Sequence, residues 1–454
     1  MSETQSKSWT SHKLFLLASI GSAVGLSNIW KFTYLAGENG GGAFVLVYIL
    51  SLLIMGIPIL AAEMLIGKRG QKDFAGSMEV LADRNELSRH WKYFAVTGMT
   101  VVFIILSFYS VIAGWTADYT VTSLTGQLND IDSPEAQQFF NSLMSSPVRM
   151  MLGQGFFILA TVWIVALGVK GGLERSINWM MPALFIILIA LLVYAAITGD
   201  FSRAVSFLFT PQFDLISPKV ILAAFGQAFF SLGIGLGVML TYGAYMPAKS
   251  NILSSSVVIA FSDGLVSVLA GLAIFPIVFQ YGLSPAEGPG LIFMTLPVAF
   301  KAMPGGGIAG AFFFILLFFA ALTSSISLLE SIVSRLEERL AYSRKKITVI
   351  AGVLLFLLGL GTVFSFNIWS GWKPLAPFGI LSGKNFFEVI DYISSNLIMP
   401  MGGILMAVIA GWVLKSKDTK TEMKLRYPGV FYVWLFLVRF IAPLMLGLVF
   451  ISNL

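Results

Sequence analysis

The chain has 454 residues, of which 57% are hydrophobic and only 11% are charged, and its formal net charge is +6. Soluble domains carry about 25% charged residues, so this composition excludes a soluble protein and indicates an integral membrane protein. The sequence holds no cysteine and only two histidines, His12 and His90, which excludes disulfides and thiol chemistry and leaves no histidine cluster for a metal site or a catalytic triad.

Eleven apolar runs each approach the roughly 20 residues that a membrane-spanning helix needs. The sequence therefore predicts an all-α integral membrane protein with eleven transmembrane helices. The runs lie at about residues 11–36, 41–66, 91–123, 150–168, 176–197, 217–245, 252–281, 308–340, 346–365, 386–414 and 427–451.

Small residues interrupt two of these runs. The first contains Gly21-Ser22-Ala23-Val24-Gly25-Leu26-Ser27-Asn28, and the sixth contains Ser231-Leu232-Gly233-Ile234-Gly235-Leu236-Gly237. Glycine destabilises a helix interior by roughly 1 kcal/mol relative to alanine, and non-helical backbone within a membrane is tolerated only where protein covers it or where it lines a cavity. Paired broken helices indicate the binding site of a secondary transporter. The alternative is that the small residues only allow close helix packing.

The positions of the two breaks indicate an internal repeat within a single transporter domain, residues 1–454. The breaks lie in the first and sixth runs, so the predicted repeats cover 11–200 and 217–414, with an extra span at 427–451. Each repeat has five spans, which is an odd number, so the two repeats are expected to be inverted relative to each other.

Basic residues predict the orientation of the chain in the membrane. They are concentrated in the loops after the even-numbered runs, as Lys68, Arg69 and Lys72 illustrate. The positive-inside rule then places the N-terminus in the cytoplasm and the C-terminus outside the cell, in the plasma (inner) membrane. The positive charge is thus a topology signal, and no nucleic-acid partner is expected.

The two breaks offer ligands for both a cation and an anion. Exposed carbonyls and small hydroxyls are hard oxygen ligands that suit an alkali cation, and the N-terminal end of the half-helix that follows faces an anion. Acids within the apolar runs are usually functional because a charge there is costly. Asp263, which is accompanied by Ser267, is the strongest candidate, whereas Glu63 and Glu330 are predicted to accept hydrogen bonds from the amides of a broken helix.

These motifs resemble the neurotransmitter:sodium symporter family over nearly the whole chain. With eleven spans, the sequence is most similar to the bacterial branch that transports several hydrophobic amino acids. The resemblance implies the LeuT fold, no enzymatic activity, and sodium-coupled symport of hydrophobic L-amino acids by alternating access. The matching segments are residues 21–32, 38–44, 227–232 and 322–325.

The resemblance also implies two sodium sites and one substrate site. The first sodium site is formed by Ala23, Asn28, Ser231 and Asp263 with the substrate carboxylate, and the second by Gly21, Val24, Ala320, Thr323 and Ser324. The implied substrate-binding residues are Ala23, Gly25, Leu26, Ser27, Ile105, Tyr109, Phe230, Ser231, Gly233, Leu236, Ser324 and Leu328. Because Thr323 and Ser324 lie within a span, their hydroxyls have an alternative role, which is to bond a carbonyl one turn earlier.

Gating residues follow from the same resemblance. The outer gate pairs Lys31 with Asp391, and Lys31 stands where the family usually has arginine, so the bidentate fork is lost. Glu338 matches the inner-gate acid, with Lys7 or a neighbour as its partner. Gly172 and Pro182 predict that this end of the fifth span unwinds to admit water to the second sodium site. The alternative is an ordinary proline kink.

Asp263 further predicts transport that does not depend on chloride. Chloride-dependent relatives carry asparagine at this position, and here the fixed carboxylate supplies the negative charge that a buried sodium ion requires. Ser267 stands where those relatives carry a serine that helps to hold the anion, and Tyr48, Gln227 and Ser231 match the other anion contacts. Because a proton can neutralise a buried carboxylate that has lost its cation, proton counter-transport is a further expectation.

Two other classes of protein remain as alternatives. A channel also contains unwound helices, but it would carry a continuous polar stripe, and these runs show isolated breaks. An intramembrane hydrolase would need paired catalytic groups, and the sparse acids and peripheral histidines provide none at a usable spacing.

Overall fold

The computed structural model describes residues 9–84, 86–128, 132–285, 290–377, 379–423, 425 and 427–454. Within these ranges every regular element is helical, which confirms the predicted all-α class. The eleven spans, numbered in chain order, are His12–Ala23 with Ser27–Glu38, Gly42–Gly70, Trp91–Leu124, Pro147–Ala166, Val169–Thr198, Pro218–Ser231 with Val238–Ala244, Ile252–Gln280, Gly306–Arg339, Arg344–Ser365, Phe386–Val413 and Pro428–Ser452.

Spans 1 and 6 are the two broken spans, as the small-residue motifs predict. The halves of span 1 are bent by 54° relative to each other. In the described ranges, the other nine spans are helices long and apolar enough to cross a membrane. Span 5 begins at Val169 rather than at residue 176, because the segment Val169–Glu174 is wound as a π-helix despite its lysine and two glycines.

Short helices connect the spans, and several spans contain π-helical turns. The connecting helices are Phe74–Asp83, Ser133–Ser145, Phe201–Phe209, Leu291–Ala302 and Ser416–Met423, with single 3₁₀ turns at Phe213–Leu215 and Gly379–Leu381. The π-helical segments of the described chain are Ser27–Lys31, Leu52–Gly56, Val169–Glu174, Leu291–Thr295, Tyr392–Ile398, Ile409–Val413 and Leu437–Ile441. Such turns are frequent at functional sites, and the first follows directly on the break in span 1.

The broken spans occupy the centre of the helical bundle. The first half of span 1 packs on spans 7 and 8, both halves of span 6 pack along span 2, and span 3 packs along span 8. Glycines allow the closest approaches, since a Cβ atom on Gly67 would lie 1.9 Å from the carbonyl oxygen of Leu240. By contrast, only 39%, 33% and 33% of the residues in the most apolar 18-residue stretches of spans 4, 5 and 11 are buried within the protein. This is expected where a span borders lipid.

Two charged side chains within the spans, one buried and one half-buried, have partners that the sequence did not reveal. Glu330 in span 8 forms an ion pair with Arg344 at the start of span 9, and the Nε atom of Arg344 donates to the carbonyl of Val165 at 3.0 Å. Arg439, within span 11, donates to the carbonyl of Gly411 at 2.5 Å. Because the last carbonyls of a helix lack intrahelical partners, Arg439 caps the end of span 10.

Candidate functional site

A cavity of about 620 Å³ lies between the two broken helices. Spans 3, 8 and 10 form most of its remaining walls, and the connecting helices Ser133–Ser145 and Leu291–Ala302 also contribute to them. The structure brings together all twelve residues expected to bind substrate, since every one lines this cavity: Ala23, Gly25, Leu26, Ser27, Ile105, Tyr109, Phe230, Ser231, Gly233, Leu236, Ser324 and Leu328. The volume falls within the 300–1,000 Å³ that is usual for small-molecule sites.

The break in span 1 is stabilised by its own side chains. Val24 is extended, with φ −69° and ψ 109°, and the helix resumes at Ser27. The side-chain oxygen of Asn28 accepts a hydrogen bond from the amide of Gly25 at 2.9 Å. A Cβ atom on Gly25 would lie 2.7 Å from the Ser324 hydroxyl oxygen, so a side chain here would push span 8 away from the break.

The break in span 6 depends on glycine backbone and on one acid. Gly233, Gly235 and Gly237 have φ values of +60°, +92° and +75°, the left-handed region that favours glycine. The fully buried carboxylate of Glu63, from span 2, accepts a hydrogen bond from the amide of Gly235 at 2.5 Å. Glu63 therefore plays the structural role that the sequence predicts for it.

Asp263 is the centre of a buried polar cluster that joins spans 1, 2, 6 and 7. One carboxylate oxygen accepts from the Asn28 side-chain amide at 2.7 Å. The other accepts from the Ser231 hydroxyl at 2.8 Å and from the Tyr48 hydroxyl at 3.1 Å. Ser267 completes the cluster, 3.0 Å from the Asn28 amide nitrogen and 3.1 Å from the Tyr48 oxygen.

This cluster fits a sodium ion. Asp263 is fully buried, and within the described chain no Lys, Arg or His nitrogen lies within 4.0 Å of its carboxylate. Three neutral donors do not balance a buried negative charge, which requires a cation or a proton. Among the described residues, no three His, Cys, Asp or Glu side chains are grouped so that they could hold a metal ion. The ligands of this cluster are one carboxylate, hydroxyls and an amide, a donor set that suits an alkali cation better than a transition metal.

A second group of oxygen atoms lies where spans 1 and 8 meet. The Ser324 hydroxyl lies 3.3 Å from the carbonyl oxygens of both Val24 and Ala320. A Cβ atom on Gly21 would lie 3.4 Å from the Cβ of Thr323. The Thr323 hydroxyl donates back to its own helix, at 3.1 Å from the Ala320 carbonyl. The five residues of the predicted second sodium site are thus neighbours, and their oxygens are of the hard type that sodium prefers.

The first break carries polar groups of the kind that bind an anion. The amides of Leu26 and Ser27 lie at the start of the half-helix that begins at Ser27, where backbone N–H groups have no intrahelical partner. The buried Tyr109 hydroxyl lies beside Ser324 and the Leu26 amide without a well-formed hydrogen bond to any described residue. The side-chain amide of Gln227 ties the two breaks together by donating to the Ser27 carbonyl at 2.9 Å.

The two predicted outer-gate residues both line the cavity, but they do not touch. Lys31 and Asp391 form no ion pair within 4.0 Å; the Lys31 nitrogen lies over the Phe230 ring, 3.9 Å from its centroid. Asp391 accepts a hydrogen bond from the Ser395 hydroxyl at 2.8 Å. A lysine lacks the planar fork that would hold a carboxylate, and a cation–π contact takes the place of that pair.

The residues just before span 1 pack against the neighbours of its N-terminal end through buried and hydrogen-bonded contacts. Trp9 is buried, and its amide donates to the Tyr245 carbonyl at 3.1 Å. Both the amide and the hydroxyl of Thr10 donate to the Glu174 carboxylate at 2.7 Å. Glu338 lies in the last turns of span 8, whereas its proposed partner Lys7 lies outside the described residues.

The end of span 5 that carries Gly172 is wound in this structure. Gly172 lies in the π-helical segment Val169–Glu174, and Pro182 lies inside the following α-helix. A Cβ atom on Gly172 would lie 1.9 Å from the carbonyl oxygen of Ile164, so close packing also requires a glycine here. Unwinding of this end stays a prediction, and Glu174 links it to the N-terminal segment through Thr10.

Sequence reasoning missed several residues that line the cavity. Phe108 and Ile112 follow Ile105 and Tyr109 at helical spacing, so one face of span 3 would have predicted them. For most of the others only the fold brings them to the site. The further lining residues are Ser22, Trp30, Tyr34, Trp115, Phe140, Met144, Val238, Gly290, Met294, Phe366, Phe387 and Met399.

The chain is similar to known proteins over 90% or more of their lengths. The chain is 37% identical to an uncharacterised sodium-dependent transporter of Bacillus subtilis, YhdH, covering 100% of this chain and 98% of that protein. It is 34% identical to a second such transporter, MJ1319 of Methanocaldococcus jannaschii, covering 98% and 90%. The crystal structure of MhsT in complex with L-phenylalanine superposes with a TM-score of 0.89 at 41% identity, covering 98% and 99%. The model of the sodium:neurotransmitter symporter family matches residues 6–142 and 147–454. The chain therefore belongs to the sodium:neurotransmitter symporter family and is a membrane transporter, not an enzyme.

Proposed function

We propose that the protein imports hydrophobic L-amino acids together with sodium by alternating access. This proposal is supported above all by the lining of the central cavity, which is polar between the two breaks and largely apolar elsewhere. The only charged side chains that line it, among the described residues, are Lys31 and Asp391. The relative solved with L-phenylalanine supports an aromatic or aliphatic substrate.

The proposed substrate position follows from the groups at the first break. The carboxylate binds the amides of Leu26 and Ser27 and the Tyr109 hydroxyl, and the ammonium binds carbonyls of Ala23, Phe230 and Ser231. The apolar side chain then extends toward Ile105, Leu236 and Leu328. A cavity of this kind discriminates weakly between apolar side chains, by about 1–3 kcal/mol per methylene, so we expect a broad range of substrates.

Two sodium ions drive the cycle in this proposal. The first binds at the Asp263 cluster in contact with the substrate carboxylate, so each ligand raises the affinity for the other. The second binds the oxygen atoms between spans 1 and 8 and holds these spans together. Its release lets span 1 move relative to span 8, and the different affinities of the outward and inward states give the cycle its direction.

The fixed charge of Asp263 makes chloride unnecessary in this proposal. After sodium leaves, the cluster retains only neutral donors around that carboxylate, so a proton is the available counter-charge for the return step. We place the protein in the plasma membrane, and its basic loops support an orientation with the N-terminus in the cytoplasm and the C-terminus outside.

Uptake by purified protein in proteoliposomes tests the proposed function. We expect saturable uptake of labelled leucine that requires an inward sodium gradient, and competition by unlabelled phenylalanine and tryptophan. A channel would show uptake that does not saturate. Uptake of equal rate in potassium alone would contradict sodium coupling.

Substitution of Leu236 tests the assignment of the side-chain pocket. Leu236 is buried and lines the cavity, so Leu236→Phe fills part of the volume that the largest substrates need. We expect tryptophan to lose about tenfold or more in affinity and leucine only a few-fold. Leu236→Met, which nearly conserves volume, serves as the control in the same competition assay. An equal loss for tryptophan and leucine would show the pocket assignment to be wrong.

Substitution of Pro182 tests whether span 5 unwinds. Proline removes one helix hydrogen bond, so Pro182→Ala strengthens the helix and is expected to slow turnover several-fold while sodium-dependent binding stays nearly unchanged. Pro276, the proline inside span 7, provides a matched control for the loss of a helix kink. Binding and turnover are measured on the same preparation. If Pro182→Ala turns over as fast as the unmodified protein, the proposed unwinding of span 5 is wrong.

A further inference from the structure

Arg439 is a charged side chain within the apolar span 11. Its guanidinium contacts three neutral groups: the Gly411 carbonyl at 2.5 Å from Nε, the Ser416 hydroxyl at 3.1 Å from Nη2, and the Trp412 ring, whose centroid lies 5.3 Å from the guanidinium carbon. An arginine remains protonated in proteins, and a charge within a membrane span is costly unless it is paired. These contacts satisfy hydrogen bonds, but they leave the positive charge uncompensated.

The neighbouring chain supplies no counter-charge to Arg439. Residues 411–441 contain only two acids, Asp418 and Glu422, and within the described chain no carboxylate oxygen lies within 4.0 Å of the guanidinium. The same stretch contains five further basic residues, of which the last two lie outside the described ranges: Lys415, Lys417, Lys420, Lys424 and Arg426. Because those two are themselves basic, they add to the positive charge. The counter-charge for Arg439 is therefore expected from outside the chain.

The free part of the guanidinium lies at the lipid border, beside the end of span 10. Its Nη1 atom is not buried and has no hydrogen-bond partner among the described residues. Trp412, Phe436 and Phe440 are 55%, 54% and 49% exposed, as expected for side chains that contact lipid. Span 10 ends at Val413, and tryptophan is enriched where the hydrocarbon meets the headgroups. Arg439 thus lies at the level of the lipid headgroups.

We propose that Arg439 binds the phosphate group of an anionic phospholipid of the membrane, with the Trp412 ring beside it. The planar fork of arginine matches two oxygens of a phosphate. Five basic residues against two acids in the adjoining chain favour a lipid with a net negative charge over a zwitterionic lipid. The bound phosphate compensates the charge of Arg439 and stabilises the junction of spans 10 and 11. Such binding does not depend on which substrate the protein transports.

Retention of lipid tests the preference for a net negative charge. The full-length protein is exposed to phosphatidylglycerol and phosphatidylcholine with matched acyl chains, and retained lipid is measured by native mass spectrometry. We expect phosphatidylglycerol to be retained preferentially, because phosphatidylcholine carries its own ammonium group. Equal retention of the two lipids would overturn the proposal.

Substitution of Arg439 tests the site itself. Arg439→Gln removes the charge and the fork, and it is expected to lower retention of phosphatidylglycerol about fivefold. Arg439→Lys keeps the charge without the fork, so its retention is expected to lie between that of Arg439→Gln and that of the unmodified protein. Arg203→Gln is the matched control, because Arg203 is exposed, lies 4.7 Å from the centroid of the Phe279 ring and belongs to the helix Phe201–Phe209 between spans 5 and 6. Equal retention by Arg439→Gln and Arg203→Gln would overturn the proposal.

Thermal unfolding separates lipid binding from the role of Arg439 as the cap of span 10. Loss of the cap alone lowers Tm by the same amount with and without lipid. We expect phosphatidylglycerol to raise the Tm of the unmodified protein and to raise that of Arg439→Gln much less. An equal rise in both proteins would overturn the proposal.

Trp412→Leu provides a second variant that keeps this cap, because Arg439 and the Gly411 carbonyl remain in place. The Trp412 ring is exposed, so its removal does not disturb the core. We expect retention of phosphatidylglycerol to fall about threefold, since the guanidinium loses the aromatic face beside it. Retention equal to that of the unmodified protein would contradict binding at this site.

Inorganic phosphate distinguishes a lipid from a soluble anion. Thermal unfolding without added lipid is compared in sodium phosphate and in sodium chloride at a matched sodium concentration and ionic strength. We expect the same Tm in both salts. A rise in Tm with phosphate that is absent in Arg439→Gln would overturn the membrane as the source and assign the site to a soluble phosphate.

Discussion

Replacement of Asp263 by asparagine is expected to reduce sodium-driven uptake in chloride-free medium by about a hundredfold, which corresponds to roughly 2.7 kcal/mol of lost interaction. Asn28, Ser231 and Tyr48 donate to this carboxylate, so the variant retains neutral groups of similar size around the proposed sodium ion. The missing element is the negative charge, and a buried cation without one is heavily penalised. Uptake of labelled leucine with gluconate in place of chloride measures the effect.

Added chloride is expected to restore much of the uptake by Asp263→Asn and to leave the unmodified protein unchanged. Tyr48 and Ser267 lie 3.1 Å apart beside Asp263, and their hydroxyls are suited to hold an anion there. The double variant Asp263→Asn with Ser267→Ala is the control, because it removes one of these donors and is expected to respond less to chloride. If Asp263→Asn transports equally well without chloride, the charge argument is wrong.

Alanine at Gly235 is expected to destabilise the folded protein by about 3 kcal/mol or more, through left-handed backbone strain and a steric clash. Gly235 has φ +92°, and a Cβ atom there would lie 2.5 Å from the Met399 carbonyl oxygen and 2.8 Å from the Gly403 nitrogen. Both contacts are backbone atoms of span 10, which cannot rotate away. The same glycine donates to Glu63, so a shift of the break would also weaken that hydrogen bond.

Gly233→Ala provides the matched comparison in the same break. Gly233 has φ +60°, but a Cβ atom there meets no atom within 4 Å. Its cost is therefore the backbone strain alone, about 1–2 kcal/mol. Thermal unfolding in detergent is expected to show a clearly larger fall in Tm for Gly235→Ala than for Gly233→Ala. Equal falls in Tm would contradict the clash with span 10.

Much of the site could be predicted because its residues are local in sequence. Gly21, Gly25 and Asn28 lie within eight positions, and Gly233 and Gly235 lie within the second break, so each break is visible as a short motif. Contacts between distant segments were not visible in this way. The ion pair of Glu330 with Arg344 and the capping of span 10 by Arg439 join residues from different spans.

Lys31 shows that tertiary structure can give a side chain a different partner from the one that the sequence predicts. Its resemblance to a gating residue predicts a pair with Asp391, and both residues do line the cavity. The ammonium instead lies over Phe230, because span 6 brings that ring to the first turn of the resumed helix. Gly172 and Pro182 predict that one end of span 5 unwinds, and this stays a prediction; in this structure the segment is wound, with Gly172 packed against the carbonyl of Ile164.

The sequence by itself determined the membrane class, the eleven spans and the two breaks, because the hydrocarbon thickness sets the length of an apolar helix and glycine marks where that helix yields. Only the tertiary structure decided which oxygen atoms meet around Asp263, which acid supports the second break, and which further side chains line the central cavity. Those outcomes depend on distances between residues far apart in the chain, such as the 172 positions between Glu63 and Gly235. Local patterns carry no information about such distances; helix packing sets them.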